Sequence, residues 1–399
     1  MSVEGVMSAE RTGRATRGVP PTVTGRVLWS LTVLGGCGVA ATPFAAGAAR
    51  VWANWMLGFL YLLTLALGAL FLVALEHLVS ARWSVPLRRI PERVASLLLP
   101  LVAVGAVALG ALPVLFPGAR AEAAADPHLA GKAFWLGAPF FSARVMGCLL
   151  LGLLPLWVLV RGSLRQDLDR DPAFTVRARR FAPACMAIFA LLVTEAAFDW
   201  IGGLEPEWYS DVIGVYLFAG AFLAGLATTT LAVLYLKGRG RLGDIRFDHL
   251  YNLGGFLFGF TVFWSYIAFA QYMLMWYANL PDEVHWYQAR IQGPWLGVAL
   301  LLAALHFLVP FFALVTRDAK GDPGRLRWVA VVLLAAHWLD LYWLIFPQLG
   351  RTPLGSWPEL SFALLFGGGT VLWLRGAMEK GEDMPVGDPF LGEGLEFRL

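Results

Sequence analysis

Ten stretches of this 399-residue chain stay apolar for about twenty residues or more, and that recurrence limits what it can fold into. Roughly 30 Å of hydrocarbon takes about 20 helical residues to cross. The stretches lie near 26–46, 51–80, 91–116, 138–161, 181–201, 210–237, 250–278, 293–316, 326–347 and 358–376. With 58% hydrophobic residues, 15% charged and a mean hydropathy of +0.64, the chain is far from a soluble domain, which averages about 25% charged. The reading is an all-α, polytopic membrane protein with ten transmembrane helices.

Charge alternates with the spans. The N-terminal tail, the loops after spans 2, 4, 6 and 8 and the C-terminal tail hold 25 of the 31 Lys and Arg; the opposite loops hold six. By the positive-inside rule both termini are cytoplasmic, and an odd number of spans would scramble the pattern. Arg11, Arg14 and Arg17 before the first span resemble a signal peptide, but Gly25 to Gly47 is long and lacks a cleavage site, so it reads as a retained helix. One membrane domain, 26–376, thus follows a cytoplasmic tail, 1–25. It precedes a tail at 377–399 whose Pro385, Pro389 and glycines predict an extended strap that docks on another surface. The net charge of +3 is spread over many loops, so the lipid bilayer and not nucleic acid is the expected partner.

Cys37, Cys148 and Cys185 stand alone, without CxxC or CxxCH, so the chain holds no iron–sulfur cluster or c-type haem by itself, and no metal site is expected. For a bis-histidine b-type haem, His77 and His306 are the only pair at loosely matching depth, His337 lying too far outward. Glycines such as Gly214, Gly220 and Gly225 predict close helix packing. Trp200, Trp208, Tyr209, Trp276, Tyr277, Trp286, Tyr287, Trp338, Tyr342 and Trp343 gather at the outer ends, mostly as an interfacial belt, and LEPEWYS at 204–210 reads as a short re-entry.

Ionisable residues inside spans are costly, at least about 2.5 kcal/mol on insertion scales, and so mark candidate function. Glu195 and Asp199 are i, i+4 near the outer end of span 5; His337 and Asp340 are i, i+3 in span 9, Asp340 about 21 Å from its inner edge. An imidazole and a carboxylate there suit hydrogen bonding to a quinol hydroxyl and acceptance of its proton. Gln271 and Tyr272 in span 7 lie at similar depth, so the outer ends of spans 5, 7 and 9 are expected to share one polar cavity. Glu76 and His77, Asp248 and His249, and the deeper His306 are candidates for the inner half of a proton path. Solvated surface acids and satisfied helix–helix hydrogen bonds remain the ordinary alternatives for all of these.

FDW at 198–200, LEPEWYS at 204–210, GVYLFAG at 214–220, FGFTVFWSYIAFAQY at 258–272, WYANLPDEVHWY at 276–287, HWLDLYW at 337–343 and DPFLGEGLEF at 388–397 carry a resemblance. The chain resembles the NrfD/polysulfide-reductase membrane-subunit family, in particular the ActF-type membrane subunits of alternative complex III. Spans 1 to 4 match by topology only. The resemblance implies two four-helix bundles, near 51–201 and 210–347, with spans 1 and 10 outside them. It implies a quinol:cytochrome c (or oxidase) oxidoreductase of the bacterial cytoplasmic membrane, using menaquinone or ubiquinone. Implied partners are a paralogous NrfD-like membrane subunit, an iron–sulfur subunit, multihaem cytochrome c subunits, small membrane subunits and a terminal oxidase, the haem c and iron–sulfur clusters being theirs. No catalytic residue is assigned. The family's polar-pathway role falls on Glu195, Asp199, Asp211, His337 and Asp340 on the outer side and on Glu76, His77 and His306 on the inner, with quinone contact at Gln271, Tyr272, His337 and Asp340. Two other readings stay open: an independent proton-coupled secondary transporter, although no repeat of FDW or HWLD is visible in the other half, and a passive membrane scaffold.

Overall fold

The structure, a computed structural model, describes residues 23–399 apart from His128 and Arg351. The expected N-terminal tail with Arg11, Arg14 and Arg17 lies outside the described residues. Among those described, no strand occurs and nine helices are long and apolar enough to cross a membrane.

The first of them, Val23–Leu78, would be about 84 Å long if straight, nearly three hydrocarbon thicknesses. It is broken at Gly47, whose φ of 74° favours glycine. Its two arms pack on the same later helix: Gly35 lies against Leu365 and Gly58 against the Phe366 ring. At the bend between them the Arg50 guanidinium donates to both Glu359 oxygens at 2.7 and 2.5 Å. Residues 23–46 (α1) and 48–78 (α2) therefore form a hairpin, and the chain makes the ten expected crossings. The others are Arg89–Leu115 (α3), Ala138–Asp169 (α4), Ala173–Leu204 (α5), Ile213–Gly238 (α6), Phe247–Ala278 (α7), Pro294–Leu314 (α8), Pro323–Leu349 (α9) and Trp357–Met378 (α10).

Helices α2 to α5 form one four-helix bundle and α6 to α9 the other, with α1 and α10 on the flank of α2. Phe59 of α2 meets Trp200 of α5 with ring centres 5.2 Å apart; Phe222 of α6 meets Phe260 of α7 at 4.4 Å. The bundles join along α2 and α6. There Gly68 abuts the Ala221 carbonyl, and a Cβ on Gly225 would fall 2.5 Å from the Gly68 carbonyl carbon. In lipid, where association depends on close packing, such small-residue contacts bring backbones together. Each bundle also breaks its third helix with a single π-turn, Leu156–Val160 in α4 and Ala304–Leu308 in α8.

The aromatic belt expected at the outer ends is largely a packed cap. Trp200, Trp208, Trp286, Tyr287, Tyr342 and Trp343 are buried, while Tyr209, Trp276 and Tyr277 are exposed. LEPEWYS is part of this cap and not a re-entry: Trp208 stacks on Trp286 of the short helix Pro281–Ile291 with ring centres 4.3 Å apart. Buried Arg290 lies 3.7 Å over the Trp286 ring and donates to Glu205 at 2.8 Å. Burial pulls the Arg290 pKa down and the Glu205 carboxylate opposes it.

At the opposite, arginine-rich face the C-terminal tail is the expected strap, and the surface it docks on is its own chain. Arg93 of α3 and Arg241, just after α6, both hold Asp383, at 3.1 Å and 2.5 Å. Buried Arg88 holds Asp388 at 2.7 Å, Arg82 pairs with Glu393, and His249 of α7 bonds the Gly394 carbonyl at 2.9 Å. The tail is not extended throughout: Asp388 accepts the Phe390 N–H at 2.9 Å, and a short helix, Leu391–Glu396, follows.

Two substitutions test these contacts. Gly225→Val is expected to cost at least about 1–3 kcal/mol by overpacking the bundle seam, read as loss of a monodisperse peak in detergent chromatography. Asp388→Ala leaves buried Arg88 with its longer, 3.5 Å contact to Glu76, and thermal unfolding in detergent should show a loss of about 1–3 kcal/mol.

Candidate functional site

Each bundle carries an acid on its fourth helix, and the two acids are held in different ways. On α5, Asp199 receives a two-pronged grip from Arg144 of α4, Nε to Oδ2 at 2.9 Å and Nη2 to Oδ1 at 2.5 Å. Glu195 lies 3.3 Å from the same guanidinium, which also sits 4.1 Å over the Trp135 ring. Asp199 is 2% exposed, so the solvated-acid alternative does not describe it. A permanently charged fork at bidentate geometry fixes this carboxylate. The cavity beside it, lined by Glu195, Asp199 and Cys148, is about 30 Å³, space for a single water.

On α9, Asp340 has no such cation among the described residues. Tyr216 of α6 donates its hydroxyl to Oδ1, and Trp264 of α7 donates Nε1–H to Oδ2 at 3.2 Å. The nearest group able to carry positive charge is His306, whose Nδ1 is 4.0 Å from Oδ2. His306 lies in the α8 π-turn, the kind of local break that recurs at functional sites, and its ring sits 3.9 Å from that of Trp264. Neither of its ring nitrogens has a hydrogen-bond partner among the described residues.

His337 completes the cluster. Its Nε2 is 2.8 Å from Thr64 Oγ1 of α2, and that hydroxyl is also 2.8 Å from the Leu60 carbonyl and 2.9 Å from that of Tyr61. When the hydroxyl donates to a carbonyl, His337 Nε2 carries the hydrogen and donates to Oγ1; when it donates to Nε2, the hydrogen sits on Nδ1. In the first tautomer Nδ1 is a bare acceptor, and in both it is buried and without a partner among the described residues. Gly220 makes the room: a Cβ there would lie 3.2 Å from His337 Nδ1 and 3.7 Å from Asp340 Oδ2. Three buried imidazole nitrogens without partners among the described residues thus surround one carboxylate.

Tyr216 and Trp264 also form the inner wall of a cavity of about 770 Å³ between α7 and α8. Its lining includes Tyr272, Tyr287, Phe307 and Trp343, and it reaches the outside past Tyr266 and Phe269, which are 64% and 57% exposed. Apolar walls with a few convergent polar groups are the usual character of a small-molecule site.

The expected site residues therefore divide. Asp340, His337 and His306 come together, although His306 was expected on the inner half beside His77. Depth counted from span edges assumes that the edges are level, whereas the Lys320 backbone just past α8 abuts Gly254, seven residues into α7, so the inner end of α8 sits deeper. Glu76 lies 3.5 Å from Arg88 under the C-terminal strap, and His77 is buried next to it in sequence. Asp211 is exposed and lines a separate cavity of about 210 Å³ with Gln271 and Glu283, whereas Tyr272 faces the large one. The shared outer cavity expected for spans 5, 7 and 9 is thus three cavities. Arg144, Tyr216, Trp264 and Thr64 escaped the sequence reading. Arg144 carries a signal, an arginine inside the predicted span 138–161, but so near the span's end it reads equally well as loop charge.

Arg144→Met should destabilise the protein by about 3–5 kcal/mol by stranding Asp199, and Arg144→Met with Asp199→Leu should recover much of that. Thermal unfolding of the two single variants and the double variant measures the coupling.

No protein-family model matches the chain, and no curated protein matches it either. The protein has an all-α, multi-pass membrane fold with a buried carboxylate–imidazole cluster beside a large apolar cavity.

Proposed function

We propose that this chain is a non-catalytic membrane subunit of a quinol-oxidising oxidoreductase, in which the Asp340 cluster moves protons. The observation that carries the reading is Asp340 held only by Tyr216 and Trp264, with three unpartnered imidazole nitrogens behind it and the 770 Å³ cavity in front. That cavity fits a quinone ring: apolar, lined by tyrosines and open on a surface that faces lipid. A quinol bound there supplies, on oxidation, two protons and two electrons. Tyr216 and Trp264 fix the orientation of Asp340, and Asp340 accepts a proton at Oδ2. His306 Nδ1, 4.0 Å away, receives it after a small rotation of its ring, and His337 Nδ1, in the tautomer that carries its hydrogen on Nε2, is the next acceptor.

The setting follows the resemblance. The chain is a member of the NrfD/polysulfide-reductase membrane-subunit family, of the ActF type, in alternative complex III of a bacterial cytoplasmic membrane. Both termini are cytoplasmic, in accord with the arginines gathered at one face. Menaquinone or ubiquinone is the quinone. Electrons run through iron–sulfur and haem c groups of partner subunits to cytochrome c or a terminal oxidase, alongside a paralogous membrane subunit. Asp199, gripped by Arg144, serves structure in this scheme.

The second reading, an independent proton-coupled transporter, draws on the repeat in the fold. π-turns in the third helix and acids on the fourth helix of both bundles are the corresponding breaks such proteins carry.

The test is the complex purified gently from native membranes through a tag on this chain. Haem, iron–sulfur protein and quinol:cytochrome c activity should co-purify. In an Asp340→Asn complex of unchanged haem and iron content, turnover should fall about a hundredfold and fewer protons move per electron. Unchanged turnover and proton ratio in that complex overturn the relay. Reproducible recovery of this chain alone overturns the assembly and favours the transporter.

A further inference from the structure

A second large cavity, about 540 Å³, opens at the arginine-rich face between α1, α2, α6, α9 and α10. Between its two ends the lining is apolar but for Thr370, whose hydroxyl donates to the Phe366 carbonyl at 2.7 Å. At the closed end stand Tyr61 and Thr228; at the mouth stand Arg239 and Arg375. On α6 the groove runs from Arg239 back to Thr228, about 16 Å of helical rise, which matches the roughly 15 Å half-thickness of a hydrocarbon core. It is therefore one leaflet deep.

The two arginines differ from their neighbours. Arg88, Arg93 and Arg241 at the same face are each paired with a carboxylate of the C-terminal strap. Neither Arg239 nor Arg375 has a carboxylate partner among the described residues. Arg239 lies over the Tyr235 ring at 4.7 Å, which holds its guanidinium at the groove mouth. Two unpaired guanidiniums above an apolar slot one leaflet deep complement a molecule with an anionic head and a long acyl chain. Basic pockets between transmembrane helices recognise anionic lipid headgroups in this way.

We infer that this groove is a binding site for one anionic phospholipid, its phosphate held by Arg239 and Arg375 and an acyl chain lying along α6 and α10 down to Tyr61. The Tyr61 ring packs on the His337 ring with centres 5.7 Å apart, so the bound chain would also close the lipid side of the buried cluster.

Native mass spectrometry of the full-length protein, released from detergent micelles holding equal phosphatidylglycerol and phosphatidylcholine, tests this. The protein should retain one phosphatidylglycerol in preference to phosphatidylcholine. Arg239→Gln with Arg375→Gln should weaken that retention about tenfold. Gly367→Phe keeps both arginines and fills the slot, since no atom lies within 4 Å of a Cβ built at Gly367, and it should abolish the retained lipid. Arg325→Gln with Arg327→Gln, which removes two exposed charges outside the groove lining, should change nothing. Equal retention of the two lipids, as a quinone tail or a neighbouring helix in the slot would produce, overturns the assignment. Unchanged phosphatidylglycerol retention in either groove variant does so as well.

Discussion

Hydrocarbon offers no hydrogen bonds, so a polar group carried into the membrane must find its partner on another helix of the same protein. That constraint organises this molecule. Glu359 of α10 is met by Arg50 at the α1–α2 bend, Asp199 of α5 by Arg144 of α4, and Asp340 of α9 by Tyr216 and Trp264 from two further helices. Each pairing fixes the rotation of the helices that carry it, because a slip of one residue along a helix turns the side chain by about 100°. The polar contacts specify which faces meet, and the glycine seam of α2 and α6 lets them meet closely.

The two bundles are built alike and spend their acids differently. In the first, a guanidinium neutralises the carboxylate, and the adjacent cavity is barely large enough for water. In the second, only neutral donors reach the carboxylate; the imidazoles around it have idle nitrogens and the cavity in front is large. Under the proposed function, the carboxylate held by neutral donors beside imidazoles is the one that changes protonation, and the one gripped by arginine serves structure. The same four-helix plan thus holds one carboxylate by a cation and the other by neutral donors.

Composition and spacing carried the fold a long way. The ten crossings, the alternation of charge, the hairpin bend near Gly47 and the docked tail all follow from local hydropathy, from charge and from glycine and proline positions. Glu195, Asp199, His337 and Asp340 stood out because charge within an apolar run is conspicuous in one dimension. Arg144 was no less conspicuous, yet near a span end it reads equally well as loop.

What the sequence by itself determined is which residues enter the membrane and which of them are expensive there, because transfer from water to hydrocarbon is a property of each segment alone. Partnership was decided by the tertiary structure. Nothing local separates Asp199 from Asp340, and nothing local brings His306, in a π-turn of α8, against Trp264 and within 4.0 Å of Asp340. Those relations depend on how helices distant in sequence rotate and pack, and that is settled by the sum of all their contacts.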